Sequence, residues 1–305
     1  MLSSAVRKIL RRLTPRPAGT IVGGMPAAAS ETPAAAEEKT TEPPVRTAWP
    51  AIRLNLANEL WGPGFIFPGG EPEALRLLRP LGLSSASSLL VVGVGSGGPA
   101  STAARNFGAY ITGLDTDPSL LAAARGLISR SQLRKKVTIE AWDPAKPEFV
   151  PQSHHHCLAL EPFNAAQPEP ILVSLAKAVK PGGQIVLTAL AAPTPLELRD
   201  ATVRRWGRLE QRNPAELMAP VAVSRMMARV GLDVRIAEDI SERHVEHTLL
   251  GWRVMLRELE DRKPTPMQAA QLVAEAELWL LRRRLIGLGK LRMVRWHAMR
   301  RTVIV

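Results

Sequence analysis

Residues Leu89–Pro99 read LLVVGVGSGGP, and the fold turns on how this stretch is read. Four apolar residues, Leu89, Leu90, Val91 and Val92, give way to Gly93, Gly95, Gly97 and Gly98, and an alanine-rich segment of helical character follows. A short, continuous apolar run is the pattern of a strand buried in a parallel sheet, here turning sharply into a helix. Glycines at such a turn let the backbone approach a ligand, and the free N–H groups of the helix start point at it. A ligand with an anionic or polar head is expected there, held by Gly93, Gly95 and Gly97.

A second apolar run, Ala109 to Leu114, ends in Asp115. In doubly wound sheets an acid at the tip of the second strand faces the first-strand turn and accepts hydrogen bonds from ribose hydroxyls. The pair therefore points to an adenosine-containing cofactor. Because Gly93, Gly95 and Gly98 also satisfy the dinucleotide spacing, the turn alone leaves NAD and S-adenosylmethionine both open.

Outward from this centre, strand and helix signals alternate. Asp117-Pro118 is a helix start, with Asp as N-cap and Pro at the first helical position, leading to about Arg130. Strands follow at Val137 to Ala141, Cys157 to Glu161 and Gln184 to Leu190, with a helix at Glu169 to Val179. The helix that would normally separate the third and fourth strands is short or missing. Helical stretches at Leu196 to Gln211 and Ala215 to Val230 lead to a strand at Leu232 to Glu238. Two long amphipathic helices, Ser241 to Leu259 and Pro266 to Leu285, precede a last strand at Leu291 to Arg300. The alternation predicts an α/β, Rossmann-like three-layer sandwich around a mostly parallel seven-stranded sheet. The helical insertion, about 241–290, is placed to form a lid over the carboxyl ends of the strands.

Upstream, Trp61–Gly70 (WGPGFIFPGG) holds three aromatics on a Gly/Pro loop just before the first strand. Trp61 and Phe65 are placed to cover a pocket and touch substrate, and core packing of Phe65 and Phe67 is the equal alternative. Residues 15–50 are Ala, Pro, Thr, Glu and Gly with few large apolar residues, which predicts a disordered linker between a basic amphipathic segment, 1–14, and a folded domain, 51–305.

The 305 residues carry a net charge of +12, and its placement matters more than its size. Arg7, Lys8, Arg11, Arg12 and Arg16 precede the first acid, Glu31, and Val6, Ile9, Leu10 and Leu13 share a helical face, so the segment suits either an anionic membrane surface or organellar targeting. No apolar run reaches the roughly 18 residues of a membrane span, and the single cysteine, Cys157, excludes an internal disulfide. A cytoplasmic protein, peripheral at most, is expected.

Taken together, LLVVGVGSGG, GLDTDPSLLAAA, EAWD, CLALEPF and LAKAVKPGGQIVL resemble the ordered motifs of class I S-adenosylmethionine-dependent methyltransferases. The Lys180-Pro181-Gly182-Gly183 turn belongs to that series and not to the NAD pattern. WGPGFIFPGG, Gln211-Arg212 and LGKLRMVRWHAM further resemble the phosphoethanolamine and small-amine methyltransferases. The resemblance implies that Ile66 and Phe67 flank the cofactor, that Gly93 lies under its methionine part, and that Asp115 and Thr116 hold the ribose. It also places Trp142 and Asp143 at the adenine, Glu161 near the reacting centre, and Arg212 as a phosphate-binding arginine. Three departures accompany it. The family's catalytic tyrosine and histidine align with Ala57 and Ala165, and the usual acid of the first strand is Val91.

Methyl transfer from a sulfonium needs proximity, alignment and exclusion of water, and a base only where the nucleophile arrives protonated. Glu161 is the candidate for orienting or deprotonating the acceptor, a small molecule or lipid head group methylated at N or O. The alternatives are a catalytically weakened relative that binds the cofactor as a scaffold, an RNA methyltransferase and an NAD-dependent oxidoreductase. His154, His155 and His156 alternate faces on a strand and match no ligand spacing, so no metal site is expected. Arg282 to Arg301 holds eight basic residues with Trp279 and Trp296 interleaved. It suits an anionic small molecule or lipid better than nucleic acid, for which no recognised binding module is present.

Overall fold

The computed structural model describes residues 48–302; the basic segment and most of the linker lie outside them. Seven strands, β1 (Ser88–Val92), β2 (Tyr110–Asp115), β3 (Val137–Ala141), β4 (His154–Leu160), β5 (Val179–Ala191), β6 (Leu232–Asp239) and β7 (Arg292–Arg300), form one sheet. Their spatial order is β3-β2-β1-β4-β5-β7-β6. The strands from β3 to β5 pair in parallel, and β7 runs antiparallel between β5 and β6.

Alternation along β1 fixes the layers. Leu90 and Val92 face one side, with Ile171, Leu172 and Leu175 of the helix Pro168–Ala178 (α5). Leu89 and Val91 face the other, with Leu77 and Leu78 of Gly70–Leu78 (α2), Ala100 and Ala103 of Gly98–Phe107 (α3), and Leu121 and Ala124 of Pro118–Arg130 (α4). Burial on both faces is why this strand is continuously apolar. Val91 lies in that packed layer and is fully buried.

No helix intervenes between β3 and β4, as the short link predicted. The Asp117 carboxylate accepts from the N–H groups of Ser119 and Leu120 and caps α4. Several boundaries differ from the sequence expectation: β4 starts at His154 rather than Cys157, and the helix expected from Ala215 starts at Pro220. β5 begins at Val179 because pairing with β4 starts there and shifts register at His154/His156, which carries the Pro181-Gly182 turn within the strand. The helix expected from Leu196 starts only at Ala201 (α6, Ala201–Glu210), where the Asp200 side chain accepts from Thr202 N–H.

Over the carboxyl ends of the parallel strands, Ala51–Trp61 (α1), Ser241–Asp261 (α8) and Pro266–Gly287 (α9) share a separate core of Leu60, Trp61, Trp252, Met255, Ala276 and Trp279. The insertion is thus anchored by three tryptophans rather than resting on the sheet by a polar surface. Each buried aromatic contributes about 150–250 Å² of covered surface. Pro220–Arg229 (α7) completes the layer beside β6.

Candidate active site

One cavity of about 530 Å³ opens between the carboxyl ends of the strands and the α1/α8/α9 cap. That volume is within the usual range for small-molecule sites. Its two ends differ in chemistry.

The first end is built by β1, β2 and the loop before α2. The Asp115 carboxylate turns toward the glycine bend, its Oδ2 accepting from Gly95 N–H at 2.8 Å and its Oδ1 from Thr116 N–H at 2.8 Å. Burial raises the pKa of this carboxyl above its ordinary value, against the lowering effect of N–H donors from Asp117, Gly95 and Thr116. Gly93, Thr116, Trp142, Leu120, Ile66 and Phe67 complete the wall. Gly93 adopts φ +74°, and a Cβ there would collide with the Leu160 carbonyl, so the bend needs glycine on both counts. Oδ1 accepts a second bond from Asp117 N–H at 3.2 Å, whereas Oδ2 has only Gly95 N–H and keeps an acceptor site; between aliphatic and indole walls that oxygen fits a ribose hydroxyl. The Trp142 indole N–H, buried without a partner, faces the same region.

Other expected residues are placed elsewhere. Gly95 and Gly97 do not line the cavity: Ile66 covers Gly95, and Gly97 packs on Ala124. Their service is to the shape of the bend and, for Gly95, to the carboxylate. The aromatic loop closes over them, Gly98 N–H donating to the Gly64 carbonyl at 2.8 Å. Asp143 stays outside the cavity and caps its own turn by accepting from Ala145 N–H. Trp61 and Phe65 are core residues beneath the wall. Trp61 meets Trp279 edge-on at 5.3 Å, and Phe65 meets Phe67 at 5.7 Å, so of these aromatics Phe67 is the one that lines the cavity.

The second end is ionic. Glu161 follows β4 in a left-handed conformation, φ +45°, of the kind that costs a non-glycine residue about 1 kcal/mol or more and gathers at functional sites. Its Oε2 lies 3.6 Å from Arg212 Nη1 and its Oε1 3.9 Å from Arg282 Nη1, while Asn164 donates to Oε2 at 3.2 Å. Arg282 also pairs with Glu210 and lies over the Trp279 ring at 4.5 Å. Of the four charged side chains Glu161 is the most exposed, at 20%, against 8% for Arg212 and 7% for Arg282. The cavity therefore meets a carboxylate backed by two guanidinium groups. Burial lowers the Arg212 pKa; in Arg282 the lowering by burial is outweighed by Glu210 and Glu161.

Sequence reasoning took Arg282 to Arg301 as one basic run suited to an anionic small molecule or lipid, and the structure divides that run. Arg282 and Trp279 belong to the cavity, and Trp296 is fully buried in the sheet core. Lys290, Arg292 and Arg295 pair with Asp200, Asp239 and Glu238. The missed residues have a signal in hindsight: Glu275, Trp279, Arg282 and Ile286 recur at helical spacing, so two charges occupy the buried stripe of α9. Arg53 and Trp49, also cavity residues, come from the start of the described chain, with Arg53 paired to Glu275 at 3.0 Å. His244, buried against Arg282, has its pKa well below the ordinary 6.5 because of burial and that neighbouring charge.

Of the two positions aligned with the tyrosine and histidine of the resembling family, Ala165 lines the cavity and Ala57 does not. Ala57 is buried in the α1/α8/α9 core. Upstream of the glycine bend the aromatic residues at the cavity are Trp49 and Phe67.

Residues 89–183 match the methyltransferase-domain family. By that match residues 89–183 are a methyltransferase domain. The chain is 30% identical over 146 residues to phosphoethanolamine N-methyltransferase 2 of Caenorhabditis elegans, an alignment covering 47% of this chain and 33% of that protein. The chain thus spans about a third of the length of that curated relative. Among solved structures, the fold resembles Haemonchus contortus phosphoethanolamine N-methyltransferase 2 bound to phosphomonomethylethanolamine and S-adenosylhomocysteine. The TM-score is 0.71 at 21% identity, over 82% of this chain and 57% of that one. It also resembles the geranyl diphosphate C-methyltransferase of Streptomyces coelicolor, with a TM-score of 0.58 at 16% identity, over 75% and 76% of the two chains. Both likenesses are of fold, over 82% and 75% of this chain.

Proposed function

We propose that the chain binds S-adenosylmethionine at the Asp115 end of the cavity and methylates an amine or hydroxyl of a small polar molecule held at the Glu161 end. The observation that carries this reading is the Asp115 carboxylate set 2.8 Å from Gly95 N–H at one end of a cavity whose other end is a carboxylate backed by arginines. The match to the methyltransferase-domain family supports the cofactor and the reaction class.

The sulfonium supplies a methyl group open to in-line attack. Asp115 and Thr116 hold its nucleoside in position, Gly93 lies under its methionine part, and Ile66, Phe67 and Trp142 exclude water from around it. Glu161 accepts a hydrogen bond from the acceptor N–H or O–H, aligns the lone pair, and takes the proton as the new bond to methyl forms and the bond to sulfur breaks. Arg212 and Arg282 fix that carboxylate from behind. Buried ion pairs are weak sources of stability but strong devices for position. Peripheral membrane contact through the basic segment 1–14 belongs to the same reading; those residues lie outside the described ones, and no described helix is long and apolar enough to cross a membrane.

A second reading rests on Ala165, which brings no titratable group to the cavity where the resembling family has its histidine. In that reading the chain binds the cofactor with little or no turnover. Calorimetry with S-adenosylhomocysteine and with NAD, followed by transfer from methyl-labelled S-adenosylmethionine to a panel of amines and hydroxylated metabolites, separates the two. Binding with labelled product supports the enzyme, binding without product supports the scaffold, and absence of adenosyl binding overturns both.

A further inference from the structure

The cavity uses the carboxyl ends of the parallel strands; the opposite edge of the sheet carries a row of positive charge that the cavity does not use. Strand register places it there. Lys136 adjoins Tyr110 at the start of β2, with its ammonium 3.8 Å from the ring, and Arg134 and Lys135 precede it before β3. Lys177 ends α5 and Lys180 opens β5, beside His155 of β4. Arg300 closes β7 opposite Leu232, and Arg301 N–H donates to the Gly231 carbonyl. Arg229 ends α7 just before β6. Arg134, Lys135, Lys177, Arg229 and Arg301 are exposed. The acids of the segments entering this edge are Glu148, ahead of β4, and Asp233, which is paired with Arg235 at 2.7 Å.

The charges run from one edge strand, β3, to the other, β6. Six inter-strand steps of about 4.8 Å make that a row of about 30 Å. Neighbouring strands are closer together than the screening length of about 10 Å at moderate salt, so the charges of the row act together on an anionic surface. Exposed apolar groups adjoin it: Tyr110, 51% exposed, and Val150, 70% exposed, on the loop into β4. Single-stranded nucleic acid wants free aromatic faces for stacking, and here the Tyr110 ring is already covered by Lys136.

We propose that this amino-terminal strand edge docks the protein on an anionic phospholipid bilayer, with the cavity facing away from the lipid. The inference is independent of the chemistry at Glu161. It makes the methyl acceptor a molecule that arrives from water, not a head group in the docked leaflet.

The test uses the full chain and sedimentation with phosphatidylcholine vesicles, with and without phosphatidylserine. Wild type is expected to partition onto the phosphatidylserine vesicles alone. A variant combining Arg134→Glu, Lys135→Glu, Lys177→Glu and Arg301→Glu should lose that partitioning by at least about tenfold, since each cation near an anionic leaflet contributes on the order of a few-fold. The corresponding four-glutamine variant should fall between, and it decides the matter if the glutamate variant does not fold. Changing Arg7, Lys8, Arg11 and Arg12 to Gln should leave the edge-dependent loss intact. Unchanged vesicle binding in both edge variants would overturn the proposal. So would edge-dependent binding of a single-stranded RNA oligonucleotide by a wild-type chain that ignores phosphatidylserine vesicles.

Discussion

The two ends of one sheet handle charge in opposite ways. At the carboxyl ends of the strands, Glu161, Glu210, Arg212 and Arg282 are drawn into a half-closed cluster where every charge faces an opposite one. At the amino ends, Arg134, Lys135, Lys177 and Arg301 stand in solvent. The first arrangement fixes geometry at a desolvation cost, and the second leaves long-range attraction free to act. Charged residues of the same type thus serve positioning at one end and steering at the other.

That contrast is easiest to break at Arg282. Arg282→Met strips Glu210 of its partner inside the protein, and such a change costs about 3–5 kcal/mol. Urea denaturation should show a loss of that size, whereas Arg229→Gln at the other edge should stay within about 0.5 kcal/mol of wild type. Equal effects would mean that burial does not separate the two ends.

Glu161 sharpens the catalytic side of the comparison. Glu161→Gln keeps the shape and removes the proton acceptor, so turnover on any accepted substrate should fall by about 10²–10⁴-fold while adenosylhomocysteine binding changes little. Turnover equal to wild type would remove the residue from the reaction. Charge reversal along the amino-end row should leave the same rate unaltered.

Histidines at both ends give a pH readout. Burial holds the His244 imidazole well below its ordinary 6.5, and it lowers His154, His156 and His297 at the other end as well. A depressed value means that the unfolded chain takes up protons that the folded protein refuses. The stability these groups contribute is therefore intact above about pH 6.5 and drains away below it, by up to about 1.4 kcal/mol per pH unit for each. Asp115 has the opposite sign. Its raised value makes its contribution fall as pH climbs from 3.8 through the folded value. Melting between pH 7 and pH 5 should show the decline, and His244→Asn should flatten it more than His154→Asn, because His244 is the more deeply buried group.

Much of the fold was legible because β1 to β5 follow local rules. Apolar runs end at glycine or acid, Asp117-Pro118 caps a helix, and the link between β3 and β4 has no room for one. The cavity was legible only where a motif names it, as at Gly93, Asp115, Trp142 and Glu161. What escaped was decided by tertiary packing. Nothing local says that Trp61 turns into a core shared with Trp279, that Ile66 takes the place over Gly95, or that α9 presents Arg282 inward. The aromatic loop looked like a pocket cover because Gly and Pro loops are usually polar. Its Trp61 and Phe65 are instead what fastens the cap to the domain.

The most direct test of the account is calorimetric titration of S-adenosylhomocysteine into the wild-type chain and into Asp115→Asn. Asparagine keeps the size of the side chain but loses the charge-assisted hydrogen bonds, worth about 1.5–3 kcal/mol each. The account predicts saturable one-to-one binding by wild type and at least about tenfold weaker binding by the variant. A wild-type chain that gives no heat with the nucleoside, or a variant that binds as tightly as wild type, would contradict it.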